Sequence, residues 1–356
     1  METDKSKIVL AGNPNVGKST IFNALTGMHQ HTGNWSGKTV DFAKGSFTYK
    51  NRIFELTDLP GTYSLFSGSK DEQIARDCIC FEEYDGTVIV VDAVCLERNL
   101  NLVLQILELT CRAVLCVNLM DEAGKKKIYV DTEKLSEILG IPVIGTSARS
   151  GNGLSELKEH INMMVLNPVH DNPSVSLYDE SLKNVTAALS EYFSQKEASE
   201  KFCEWAAMRF PEMDHELNRS IIKKLGFTPS EQEELSTVLS ETNKRIADMG
   251  MDTAGYRDRT SESILEKASE IYECCVSTED RNYNHRDRCL DRIFTSAITG
   301  YPIMLLLLCG VFWITISGAN YPSVLLSELF DSLKIPLTDL FLTLNAPDML
   351  RGILID

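Results

Sequence analysis

Short apolar runs rich in β-branched residues recur through the first part of the chain: KIVLAG from Lys7, RIFELTD from Arg52, GTVIVVD from Gly86, AVLCVN from Ala113 and IPVIGTSA from Ile141. Runs of this kind suit strands buried on both faces, and segments of helical period lie between them. The alternation predicts a doubly wound α/β sheet over residues 1–165. TVDFAKGSFTYKNRIFELTD adds two strands joined at YKNR, so one sheet edge is expected to be antiparallel.

The pattern changes at LNPVHDNPS, Leu166 to Ser174, a Pro/Asn-rich joint. Beyond it, residues 174–278 show helical spacing with few β-branched runs, which predicts an all-α domain whose charges form solvated helix faces. Residues 281–300 form a basic segment with Arg281, Arg286, Arg288 and Arg292, and residues 301–318, YPIMLLLLCGVFWITISG, carry no charge. Eighteen residues at ~1.5 Å each just cross ~30 Å of hydrocarbon. A transmembrane helix is expected over 301–318, with a buried core helix as the competing reading, and the arginines place the preceding domains in the cytoplasm. Residues 322–356 mix leucines with Glu328, Asp331, Lys334 and Asp339, the composition of an amphipathic, interfacial segment. A polytopic membrane protein of which this chain is the first part is the expectation.

Composition narrows the function classes. The formal net charge of -16 excludes a general nucleic-acid backbone binder, which needs clustered Lys and Arg. The ten cysteines are scattered, without zinc-ribbon spacing, and are expected to be reduced thiols rather than metal ligands.

The chemistry starts where the first strand ends. GNPNVGKST, Gly12–Thr20, fits G-x-x-x-x-G-K-[ST]: Gly12, Asn13, Pro14, Asn15, Val16 and Gly17 supply a path of backbone N–H groups around phosphates. Lys18 reaches the outer phosphates, and Ser19 and Thr20 open the helix with Ser19 placed to hold Mg²⁺. NLMD, Asn118–Asp121, follows a strand and presents a carboxylate to the N1–H and amine of guanine, a donor pair that adenine lacks. TSA, Thr146–Ala148, follows the next strand; Ser147 lines this loop and the Ala148 N–H is expected at guanine O6. GTP or GDP is therefore the predicted nucleotide. DLPG places Asp58 to hold Mg²⁺ through water and Gly61 to offer its N–H to the γ-phosphate, and Thr39, in the loop after the first helix, is the candidate second Mg²⁺ hydroxyl. Loss of the γ-phosphate would release both loops. Thr62 stands where many GTPases carry the water-orienting glutamine, so other groups must organise hydrolysis, or it is slow.

With these strings in place, the chain resembles the ferrous iron transport protein B (FeoB) family. GNPNVGKST, HTGNWSGKTVDFAKG, DLPGTYSL, NLMDEA and LDRIFTSAITGYPIMLLLLCGVFWITISG carry the likeness over essentially the whole length. The resemblance implies a P-loop GTPase domain and a helical, GDI-like domain ahead of an iron-conducting region in the cell (inner) membrane. It implies Fe²⁺ as the cargo of the intact protein, lipid contact, a homo-oligomer and small accessory iron-transport proteins, and no nucleic acid. It also implies that Asn15, with the backbone carbonyls of Gly33 and Trp35, holds a K⁺ ion beside the phosphates and makes Asn15, Lys18, Thr39 and Gly61 the catalytic set. A cation there stabilises charge developing in the transition state. The family's switch usually reads NWPGVTVE; here Ser36, Lys38 and Asp41 replace Pro, Val and Glu, and loss of the proline leaves the loop less pre-ordered.

Two other readings share the GTPase motifs: a soluble potassium-dependent GTPase of translation or RNA modification, and a signalling switch that acts on a partner. The acidic balance and the uncharged stretch speak against the first.

Overall fold

The apolar run at the start of the chain becomes β1 (Lys5–Gly12), with Ile8, Val9 and Leu10 fully buried. This computed structural model describes residues 5–27, 30–35, 38–66, 69–167, 175–278, 294 and 296–343, and only the backbone for 30–35, 38–42, 71, 297–298, 319–323 and 338–343. Along the chain follow α1 (Lys18–Thr26), β2 (Gln30–Trp35), β3 (Lys38–Tyr49), β4 (Arg52–Asp58), α2 (Lys70–Phe81), β5 (Gly86–Asp92), α3 (Leu96–Leu107), β6 (Ala113–Asn118), α4 (Met120–Lys125), β7 (Ile128–Val130), α5 (Thr132–Leu139), β8 (Val143–Gly145) and α6 (Leu154–Leu166).

A seven-stranded sheet has the order β2-β3-β4-β1-β5-β6-β8, parallel from β4 to β8 and antiparallel at β2 and β3. The antiparallel edge is the one that the sequence predicts. Its turn is at Lys50 (φ 47°) and Asn51 (φ 63°), both left-handed as a type I′ hairpin requires. Two apolar layers cover the sheet: Ile21, Phe22, Leu25, Leu157 and Ile161 from α1 and α6 on one face, and Leu100, Val103, Leu104 and Leu107 of α3 on the other. Because the parallel strands end together, Gly12, Asp58, Asn118 and Gly145 gather at one rim, where open α/β sheets bind ligands.

The stretch read from sequence as a switch loop differs. The backbone of residues 30–35 and 38–49 is a hairpin that extends the sheet, with Gly33 opposite Phe42 and an irregularity between Asn34 and Trp35. Pairing satisfies backbone N–H and C=O groups that an open loop leaves to water. Thr39 therefore starts out in a strand rather than a loop. The side chains of Trp35, Lys38, Thr39 and Asp41, with all of Ser36, lie outside the described residues.

The helical stretch comprises α7 (Glu180–Phe193), α8 (Glu200–Arg209), a 3₁₀ turn (Phe210–Glu212), α9 (His215–Leu225), α10 (Pro229–Asp248) and α11 (Thr253–Cys275). Its starts are written in the sequence: Asp179, Ser199, Asp214 and Asp252 each accept a first-turn backbone N–H, and Thr228 forms a capping box with Glu231. Residues 1–279 form one compact unit. Ile264, Ala268, Ile271 and Cys275 of α11 pack in the same core as α3, while Phe66 and Cys80 join the aromatic core around Trp205, Phe193 and Phe210. A short strand, β9 (Val276–Thr278), then pairs antiparallel with β7, a ribbon with no counterpart in the sequence reading.

Residues 280–356 form a second unit. Its described part is dominated by α12 (Ala297–Thr343), a helix of 47 residues. Within it Thr299–Gly318 has a mean hydropathy of 1.9 and is long and apolar enough to cross a membrane. Pro322 and Pro336 suggest breaks, and the sequence reading separates 322–356 from the apolar span, but the helix continues through both prolines.

Candidate nucleotide-binding site

At the rim of the sheet the chain leaves β1 at Gly12 and turns into α1 through Asn15 (φ 66°) and Gly17 (φ 82°). This left-handed path turns successive N–H groups inward as an anion-binding nest at a helix N-terminus. Asn15, Ser19 and Thr20 are exposed at its mouth, whereas Asn13 is 1% exposed and neither atom of its amide has a partner among the described residues. A Cβ on Gly17 would collide with the Asn118 side chain, so glycine is required there by space as well as by φ.

Lys18 joins the loop to the next strand. Its ammonium is hydrogen-bonded to the Asp58 carboxylate and the Leu59 carbonyl. Burial pushes the Asp58 carboxyl above its usual range, and the Lys18 charge and hydrogen bonds from Lys18 and Ser19 pull it part of the way back. Ser19 and Asp58 thus meet as a hydroxyl and a carboxylate, oxygen donors of the sort that Mg²⁺ takes. Leu59 N–H donates to Leu10 O (3.0 Å) and Thr62 N–H to Gly12 O (3.2 Å), which lays Gly61 directly over the backbone of Asn13 and Pro14. Thr62 does not take the glutamine's place. It is buried, and its hydroxyl donates to Ser64 O (2.6 Å) and accepts the Ser64 N–H (3.2 Å).

The base side hangs on Asn118, which is 1% exposed. Its amide donates to Val16 O (3.0 Å), and its carbonyl accepts from Thr146 Oγ1 (3.2 Å) and the Ala148 N–H (3.1 Å). The Ala148 N–H expected at guanine O6 is therefore already engaged, and a base oxygen has to share it. Asp121 is exposed in the first turn of α4, its N–H on Ser147 Oγ (3.2 Å). Phosphate loop, N-x-x-D turn and T-S-A loop are thereby brought together. Gly33, Trp35 and Thr39 enter only as backbone of β2 and β3.

Sequence reasoning missed a buried ion network at the C-terminal end of α3. Arg209 of α8 donates to Glu108 Oε2 (2.9 Å) and Glu212 Oε1 (2.8 Å), hydrogen-bonds Tyr178, and lies 4.0 Å from the Phe66 ring centre. Burial pushes the Glu108 carboxyl up against the pull of Arg209 and Tyr178. The only sequence signal was an arginine among the apolar residues of WAAMRF, Trp205–Phe210.

A phosphate nest tied to an N-x-x-D turn on this sheet defines the class as P-loop GTPase. The FeoB family model, described as ferrous iron transport protein B, matches residues 6–161. The Fe(2+) transporter FeoB of Salmonella choleraesuis (strain SC-B67) is 32% identical over 324 residues, 89% of this chain and 40% of that protein. Among solved structures, the cytosolic domain of the T. maritima FeoB iron transporter in a GDP form is 33% identical with a TM-score of 0.64, covering 77% of this chain and 100% of that one. The same domain in its GMPPNP form gives 33% and 0.62, over 76% and 99%. The chain belongs to the ferrous iron transport protein B family, and it spans 40% of the length of that Salmonella relative.

Proposed function

We propose that this chain is the GTP-binding and GTP-hydrolysing cytoplasmic part of a ferrous iron uptake protein of the cell membrane, in which nucleotide state acts on a membrane pore through the switch segments. The observation that carries the reading is the single hydrogen-bonded assembly of nest, Lys18–Asp58 pair and Asn118 strut. Phosphates entering the nest compete for Lys18. As its ammonium turns to them it leaves Asp58 and the Leu59 carbonyl, which frees a carboxylate oxygen beside Ser19 and loosens DLPG in the same event. Mg²⁺ held by Ser19, Asp58 and Thr39 would neutralise charge on the phosphates, and K⁺ at Asn15 with the Gly33 and Trp35 carbonyls would supply the charge stabilisation for which Thr62 is not placed. Ser147 and Ala148 close over the base that Asp121 reads.

Two measurements on the full chain in detergent test this. Replacing K⁺ by Na⁺ slows GTP turnover in the wild type and changes little in Asn15→Ala; equal wild-type rates in both salts remove the potassium assignment. Asp121→Asn puts an amide donor where guanine also has donors, so GTP affinity falls by about a hundredfold while affinity for xanthosine triphosphate rises. Tighter binding of ATP than GTP by the wild type would end the GTPase reading. Transport belongs to the intact protein: Fe²⁺ uptake lost on deletion of the gene is the expected result, whereas normal uptake favours a signalling switch.

A further inference from the structure

The segment that follows DLPG does not lie free. Tyr63, Ser64 and Leu65 run along one stripe of α3 formed by Arg98, Asn101 and Gln105, which repeat at three- and four-residue intervals and so share a face. The Arg98 guanidinium carbon lies 4.0 Å from the Tyr63 ring centre. Asn101 donates its amide to Tyr63 O (3.3 Å). The Gln105 carbonyl accepts from the Leu65 N–H (2.7 Å) and from Ser64 Oγ (3.1 Å), and its amide donates to Asn101 Oδ1 (3.1 Å). Gln105 is 3% exposed, so these bonds are made out of water's reach, where an unpaired N–H is costly.

We infer that Arg98, Asn101 and Gln105 are positioning residues for GTP hydrolysis: a polar ladder on α3 that fixes the far end of the loop carrying Gly61. That loop is pinned on both sides of Gly61, by Leu59 N–H on Leu10 O before it and Thr62 N–H on Gly12 O after it. Downstream, the ladder grips three consecutive residues. Gly61 sits between these two pins and the ladder holds the chain from the residue after Thr62, so the location of its N–H relative to a γ-phosphate depends on both. None of the ladder residues belongs to the nest or the base loops, so nucleotide affinity does not depend on them. α3 also packs on α11, and Ser269 of α11 hydrogen-bonds Glu97 (3.1 Å), so a movement of α3 changes the loop's anchor.

The inference rests on the GTPase reading, and the test separates the two. Steady-state GTP turnover and GDP affinity are measured for the full chain in detergent as wild type, Gln105→Met, Arg98→Ala and Arg98→Lys. Methionine fills the buried space of Gln105 without its hydrogen bonds; Arg98 is exposed, so its variants fold even where Gln105→Met does not. Misplacing a reacting group by a fraction of an ångström lowers kcat by about tenfold in Gln105→Met, with KM and the GDP Kd within about twofold of wild type. Arg98→Ala lowers kcat by about threefold and Arg98→Lys, which keeps a cation over the Tyr63 ring, restores it. Unchanged kcat in Arg98→Ala and Gln105→Met overturns the ladder, as does a parallel loss of kcat and GDP affinity, the mark of a merely structural role. A wild type that binds GTP but never turns it over overturns the hydrolysis reading itself, and the ladder's role falls with it.

Discussion

Lys18→Ala lowers GTP and GDP affinity of the full chain by about a thousandfold, the loss expected when one partner of a desolvated, charge-assisted contact is removed. The structure adds a second loss. With the ammonium gone, Asp58 remains buried at the mouth of the nest with only the Ser19 hydroxyl among the groups now pulling its carboxyl down, so its pKa moves higher still. Where Asp58 is ionised, an unscreened negative charge faces incoming phosphate. Binding in Lys18→Ala should therefore recover partly as the pH is lowered and Asp58 takes up a proton, and the recovery should set in at a higher pH than any gain in the wild type, where Lys18 pulls the Asp58 carboxyl down. Titration with a fluorescent GDP analogue across a pH series checks both parts, and wild-type affinity in Lys18→Ala would mean that the loop holds no phosphate.

The second large effect is on stability. Arg209→Met leaves Glu108 and Glu212 facing each other in the interior without their shared cation and should cost about 3–5 kcal/mol. Replacing Glu108 by Gln in the same chain should recover part of it, because the remaining buried charge is then one carboxylate. Urea unfolding followed by tryptophan fluorescence reads this directly, since Trp205 sits in that core. A shift under 1 kcal/mol, on the scale of an exposed pair, would show that water reaches the network.

What could be read from the sequence depended on how local the cause was. β1, β5 and β6 were legible because a strand buried on both faces has to be apolar throughout. The nest was legible because few residue types tolerate its path. β2 was not legible: its polar composition gives no alternation, and it exists because β3 offers an edge. β7 and β9 are three residues each and far apart in sequence, so no window contains both. Gln105 is one polar residue in the apolar LVLQIL of α3, and its partner Leu65 lies 40 residues away in sequence, outside any local window. The continuous α12 went against its prolines, whose local preference did not predict the outcome.

Asn118 touches Val16 on one side and the Thr146–Ala148 loop on the other, so the grip on phosphate and the grip on base are not independent quantities. Free energies of substitution in the two halves will not add. An Asn118 variant should mimic a damaged phosphate loop, and combining it with a Val16 or Gly17 variant should cost less than the sum of the two. In this protein one side-chain amide braces both loops, its NH₂ on the phosphate cradle and its carbonyl on the base side, so guanine preference cannot be altered at Asn118 without also changing how tightly any nucleotide is held.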